Sequence, residues 1–128
     1  MRWRAARRAG VLAALLGLCV AGCGADPAAE ALPLAAADPV RGQRLLIQYQ
    51  CGSCHAIPGV AAARGIHGPS LASFGKRSYI AGRIPHSPDA LARWIVAPAA
   101  LVPDTAMPSM GVSPDEARHM AAYLGSLE

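Results

Sequence analysis

Apolar residues recur at helical spacing in three places along the chain, each behind a local start signal. Leu45, Leu46 and Tyr49 share one face after Asp38-Pro39, a cap residue followed by proline at the first helical position. That pattern predicts a helix over residues 39–50. Leu91, Trp94 and Ile95 form the stripe of a second helix, opened by Ser87-Pro88-Asp89 and stopped at Pro98. Met120, Tyr123, Leu124 and Leu127 mark the buried face of a third. It opens at Ser113-Pro114-Asp115-Glu116, where Glu116 stands three residues after Ser113 and completes a capping box. A shorter helix is expected around Pro69–Phe74. No segment alternates at period two, so no sheet is expected. The pattern predicts an all-α domain of three main helices, with long loops at 56–68 and 97–112.

Ahead of the first helix the pattern changes twice. Residues 1–22 begin with Arg2, Arg4, Arg7 and Arg8 and continue into the apolar run Val11–Val20. A charged start before a short apolar stretch is the layout of a signal peptide, and the stretch is too short for a comfortable membrane span. The run ends Val20-Ala21-Gly22-Cys23, which resembles a bacterial lipobox. The resemblance implies that Cys23 is lipidated and becomes the first residue of the exported chain. A retained signal anchor, or cleavage without a lipid, are the alternatives. Arg7-Arg8 is not followed by a twin-arginine motif. Residues 23–37 hold the lipidated Cys and an Ala/Pro-rich linker without apolar period, a flexible tether reaching about 40 Å at polyproline rise. The folded domain is then residues 38–128, placed outside the cytoplasm on the periplasmic side of a bacterial membrane.

Composition narrows the class. With 53% hydrophobic and only 16% charged residues, the chain is not a disordered charged protein. The 13 glycines and 11 prolines predict many loops. The net charge of +4 comes from the four arginines of the first eight residues; the remainder is balanced, eight basic against eight acidic. No basic stripe is left for a duplex, so nucleic acid is excluded as a partner. A domain of some ninety residues has a marginal core and needs a staple such as a cofactor.

The cysteines supply that cofactor. Of four, Cys19 leaves with the signal and Cys23 takes lipid, leaving Cys51-Gly52-Ser53-Cys54-His55. C-x-x-C-H is the attachment signature of c-type haem. Two thiols on one helical turn reach both vinyl groups, and the adjacent His lies under the iron. A thioredoxin-like dithiol would need a βαβ context, and a zinc site a second ligand pair; the sequence has neither.

With that motif, the domain resembles the class I cytochromes c, monohaem electron carriers. Gly42-Gln43-Arg44-Leu45-Leu46 stands for G-x-x-L-F, and Gly68-Pro69-Ser70-Leu71 for G-P-x-L. Trp94-Ile95-Val96-Ala97-Pro98 matches the aromatic–aliphatic–x–x–Pro segment, Pro103–Met107 matches P-G-T-x-M, and Ala122-Tyr123-Leu124 closes the series. Residues 77–94 look closest to the cytochrome c domain of caa3-type oxidase subunit II and its small membrane-bound relatives. Three departures stand out. Leu46 replaces Phe. Asp104 replaces Gly, tolerable if Asp adopts left-handed backbone there. Lys76 is the one lysine, so no lysine docking ring carries over.

The resemblance implies a class I cytochrome c fold around one covalent haem c, held by Cys51 and Cys54, with His55 on the iron. Met107 is the implied sixth ligand by its spacing from Trp94, Pro98 and Pro103, and Met110 is its rival. His/Met ligation raises the reduction potential. Met120 reads as core, His67 as a loop hydrogen bond, and His86 and His119 as exposed. By the same resemblance the Pro69 carbonyl accepts from His55, Leu71 lies in the haem-binding turn, and Trp94 packs near the distal face. Arg77, Tyr79 and Thr105 are the implied donors to the haem propionates.

The expected function is single-electron transfer in a bacterial respiratory chain by a lipid-anchored carrier rather than an enzyme. The expected partners are a terminal haem–copper oxidase and an upstream quinol-oxidising complex or dehydrogenase. The alternatives are an electron-accepting subunit of a periplasmic dehydrogenase, and a haem sensor or peroxidase-like module with a displaceable Met. The last would need distal acid–base groups, for which so small a domain with a Met loop has little room.

Overall fold

The computed structural model describes residues 36–128. The segments expected to be a signal peptide, the lipidated Cys23 and most of the linker lie outside the described residues.

The three start signals act where the sequence places them. Asp38 accepts from the Val40 N–H at 2.8 Å and opens α1, Pro39–Gln48. Ser87 caps α2, Pro88–Val96, through the Ala90 N–H. Ser113 and Glu116 exchange both bonds of a capping box at the start of α4, Pro114–Gly125. Each such cap stabilises its helix by about 1 kcal/mol. α1 stops two residues before the expected end because Gln50 turns into left-handed backbone at φ 54°. That turn swings the chain into the 3₁₀ turn Cys51–Ser53.

α1 and α4 cross at Gly42. A Cβ there would collide with the His119 carbonyl and lie 3.0 Å from the Met120 nitrogen, so only glycine allows this approach of backbones. Leu45 and Leu46 of α1, Met120, Ala121 and Leu124 of α4, and Leu91, Trp94 and Ile95 of α2 join one core. A fully buried Leu or Ile side chain contributes about 1.5–3 kcal/mol relative to exposure. Met120 is core, as its stripe predicts. Tyr123 is half-buried, and its hydroxyl donates to the Pro58 carbonyl at 2.6 Å.

Four expectations are corrected, three in the loops and one on α4. Residues 97–112 contain a one-turn helix, α3, Pro98–Leu101: the proline that ends α2 begins it. The short helix expected around Pro69–Phe74 is instead an extended stretch and a 3₁₀ turn at Phe74–Lys76, since Ser73 has φ 51° and the Leu71 N–H is taken by the Ala56 carbonyl. A two-stranded antiparallel hairpin, β1 Tyr79–Ile80 and β2 Ile84–Pro85, was hidden because two residues per strand cannot show an alternation. His119 is buried, only 3% exposed, rather than exposed. Its Nδ1 accepts the Asp38 backbone N–H at 2.8 Å, tying the start of α1 to α4.

Candidate haem site

Cys51 and Cys54 lie on one 3₁₀ turn and its cap, with the Cys54 and His55 N–H groups both bonded to the Cys51 carbonyl. The turn therefore sets the three side chains close in space without a long helix. Both cysteines are free thiols. Cys51 packs against the core, and burial raises its thiol pKa above the ordinary value.

The loop after the motif folds back and satisfies the turn. Gly65 donates to the Gly52 carbonyl at 3.0 Å, Gly68 to that of Cys54 at 2.8 Å, and Leu71 to that of Ala56. Gln43 of α1 and Tyr123 of α4 grip the same loop at the carbonyls of Gly59 and Pro58. These contacts deliver the Pro69 carbonyl to His55 Nδ1 at 2.7 Å. A carbonyl only accepts, so Nδ1 carries the proton and Nε2 keeps its lone pair for a metal. Gly68 supports the imidazole from beside: a Cβ there would sit 2.6 Å from Nδ1 and 2.9 Å from Nε2.

Other site candidates fall into two groups. Leu71 and Trp94 are buried in the core, and Met107 is half-buried against it. Met110 is 42% exposed. The Thr105 hydroxyl accepts the Met107 N–H at 3.2 Å and keeps its own proton for another acceptor. Tyr79 is 54% exposed at the start of the hairpin. Arg77 donates to the Ser70 and Ala72 carbonyls and lies 5.1 Å from the Phe74 ring centroid, so it braces the loop that carries Pro69.

His86, expected exposed, is half-buried: its Nδ1 bonds the Arg77 carbonyl at 2.7 Å and its ring meets Phe74 edge-on. His67 is exposed and, among the described residues, its ring makes no hydrogen bond. Asp104 does not adopt left-handed backbone. Its carboxylate forms a two-pronged pair with Arg83, whose guanidinium holds the Asp104 pKa below the usual range. No local signal links these residues, 21 positions apart. A groove of about 600 Å³ between α2, α3 and α4 contains none of the expected site residues.

The donor set fits a covalently held haem: two free thiols on one turn, an imidazole with its tautomer set, and a thioether against the same core as Cys51. A mainly helical domain with this single attachment turn defines a monohaem c-type cytochrome. Residues 39–128 match the family model for cytochrome c, and the chain belongs to that family. Its cofactor is haem c, bound covalently, and its chemistry is electron transfer. Cytochrome c oxidase subunit 2 of Alkalihalophilus pseudofirmus is 32% identical over 89 residues, covering 69% of this chain and 25% of that protein. The chain thus spans about a quarter of the length of that relative.

Proposed function

We propose that this chain is a membrane-tethered carrier that passes single electrons to a haem–copper terminal oxidase. The observation that carries it is an oriented imidazole at the attachment turn together with a half-buried thioether, Met107, against the core that Cys51 touches. His55 and Met107 would together hold a haem iron with no position left for substrate, which suits electron transfer. Bound haem c supplies the redox couple. Cys51 and Cys54 would anchor it, and the Pro69 carbonyl holds the His55 ring with Nε2 free for its iron. Leu71 and Trp94 would exclude water from it, and Thr105, Tyr79 and Arg77 would supply donors to its propionates. The oxidase link is supported by the likeness to an oxidase subunit 2.

Membrane attachment rests on the lipobox at Cys23, with residues 1–22 as signal peptide, 23–37 as lipidated tether and 38–128 as the carrier domain. Among the described residues no helix is long and apolar enough to cross a membrane. This arrangement puts the domain on the periplasmic side, where tethering raises its local concentration beside an oxidase.

The ligand pair is tested by comparing Met107→Ala with Met110→Ala. Met107→Ala is expected to abolish the weak far-red absorption of a thioether–iron bond, admit carbon monoxide, lower the potential and slow turnover with an oxidase. Met110→Ala should change these far less. The reverse ranking would move the ligand to Met110, and strong carbon monoxide binding by the parent would refute the carrier. Cys23→Ser should release a soluble, haem-loaded domain from the membrane fraction; retention there would refute the lipid anchor.

A further inference from the structure

Residues 103–111 carry Met107 between α3 and α4. Val102 and Val112, at either end, are buried; Thr105 and Met107 are half-buried, and the rest of the stretch is exposed. Its internal hydrogen bonds are local: Thr105 N–H to the Val102 carbonyl at 3.1 Å, and Met107 N–H to Thr105 Oγ1. Among the described residues, one side chain alone ties this loop to another part of the chain by hydrogen bonds. Arg83 Nη1 donates to Asp104 Oδ1 at 3.0 Å and Nη2 to Oδ2 at 3.2 Å. The Arg83 side chain is 63% exposed, but its backbone is held. Its N–H bonds the Ile80 carbonyl at 3.1 Å in the turn of the β1–β2 hairpin, and Ile80 is almost fully buried.

We propose that Arg83 is a positioning residue that holds the Met107 loop closed by its fork on Asp104. This rests on the reading of Met107 as sixth ligand. The position where the family motif has glycine is used here for a carboxylate, three residues before the thioether. That carboxylate reaches across to a hairpin anchored in the core. Both side chains are mostly exposed, and exposed ion pairs are generally weak, but the parallel two-bond fork places this one at the strong end of that class. The clamp therefore shifts the loop's closed–open balance by about two- to fivefold, falling as salt screens it.

The test titrates imidazole into the oxidised holoprotein, following loss of the far-red thioether–iron band. Apparent imidazole affinity scales with the fraction of molecules whose Met107 is off the iron. Arg83→Ala and Asp104→Ala should each raise that affinity about two- to fivefold. The double variant should do no more than either alone, the signature of coupled partners. The swap of Arg83→Asp with Asp104→Arg should restore most of the parent value, and Arg83→Lys only part, because an ammonium cannot make the fork. Met107→Ala sets the fully open limit. If Met107→Ala binds imidazole far more tightly than the parent while both single clamp variants match the parent, the clamp is refuted and Met107 stands. Additive effects in the double variant would also refute it. If Met107→Ala matches the parent, Met107 is not the ligand, and the clamp falls together with that ligand assignment.

Discussion

Gly68→Ala is a sharp perturbation of the site, because the three nearest atoms to its new Cβ all belong to the His55 imidazole. The new Cβ would lie 2.6 Å from His55 Nδ1 and 2.9 Å from Nε2. Ordinary contact with carbon begins near about 3.5 Å. The ring or the 67–69 backbone must therefore shift by about 0.9 Å at the Nδ1 side. Overpacking on that scale costs about 1–3 kcal/mol. The shift also disrupts the 2.7 Å bond from His55 Nδ1 to the Pro69 carbonyl, since Pro69 follows Gly68 on the displaced loop while His55 sits on the attachment turn. A less basic imidazole stabilises the oxidised iron less, so the potential should rise. A tenfold differential is about 59 mV for one electron, which makes a rise of some tens of millivolts the expected size. The assay is a spectroelectrochemical titration alongside thermal unfolding of the holoprotein. The melting point should fall by at least about 5 °C for a domain of this size. Gly125→Ala is the control, because a Cβ there meets nothing within 4 Å. A Gly68→Ala protein with the parent's potential and melting point would refute the role given to Gly68 and the Pro69 carbonyl.

Two further outcomes follow from the core and the carboxylates. Cys51→Ala with Cys54→Ala should abolish covalent haem and leave a chain with little helical circular dichroism and low abundance. The small core then lacks its largest apolar element, and a folded, abundant double variant would contradict this. Glu116 is held below its ordinary pKa by bonds from the Ser113 side chain and the Tyr49 hydroxyl, and Asp104 by Arg83. Depressed carboxylates contribute stability that is fully present above the unfolded value of about 4 and lost as pH falls through the lower folded value. The stability gap between the parent and Glu116→Gln or Asp104→Asn should thus be constant near neutrality and close in acid. A gap that persists unchanged at about pH 2 would refute the assignment.

Much of the fold was legible because its signals are local. Asp38-Pro39, Ser87-Pro88 and Ser113-Pro114 start helices through bonds spanning two or three residues, so the chain carries them without help. Met120 and Leu124 could be assigned to the core from their spacing alone. His119 could not. It sits one position from Met120, and its burial depends on the α1–α4 crossing, which brings Asp38 and Arg41 to its two ring nitrogens. The hairpin at residues 79–85 was too short to announce itself, and the ends of α1 and of the 69–76 stretch were moved by left-handed residues, Gln50 and Ser73, that are not glycine.

The chemistry divides in the same way. The spacing Cys51-x-x-Cys54-His55 determines by itself that two thiols and an imidazole share one turn, since covalent distance allows little else. The sequence likewise determines the neutral charge balance of residues 9–128. Only the tertiary structure decided which nitrogen of His55 is left for a metal. That choice depends on the Pro69 carbonyl, 14 residues away, brought in by a loop that α1 and α4 grip through Gln43 and Tyr123. It also decided what Asp104 does, because a carboxylate acquires a role from the cation that faces it, and Arg83 reaches it across a hairpin rather than along the chain.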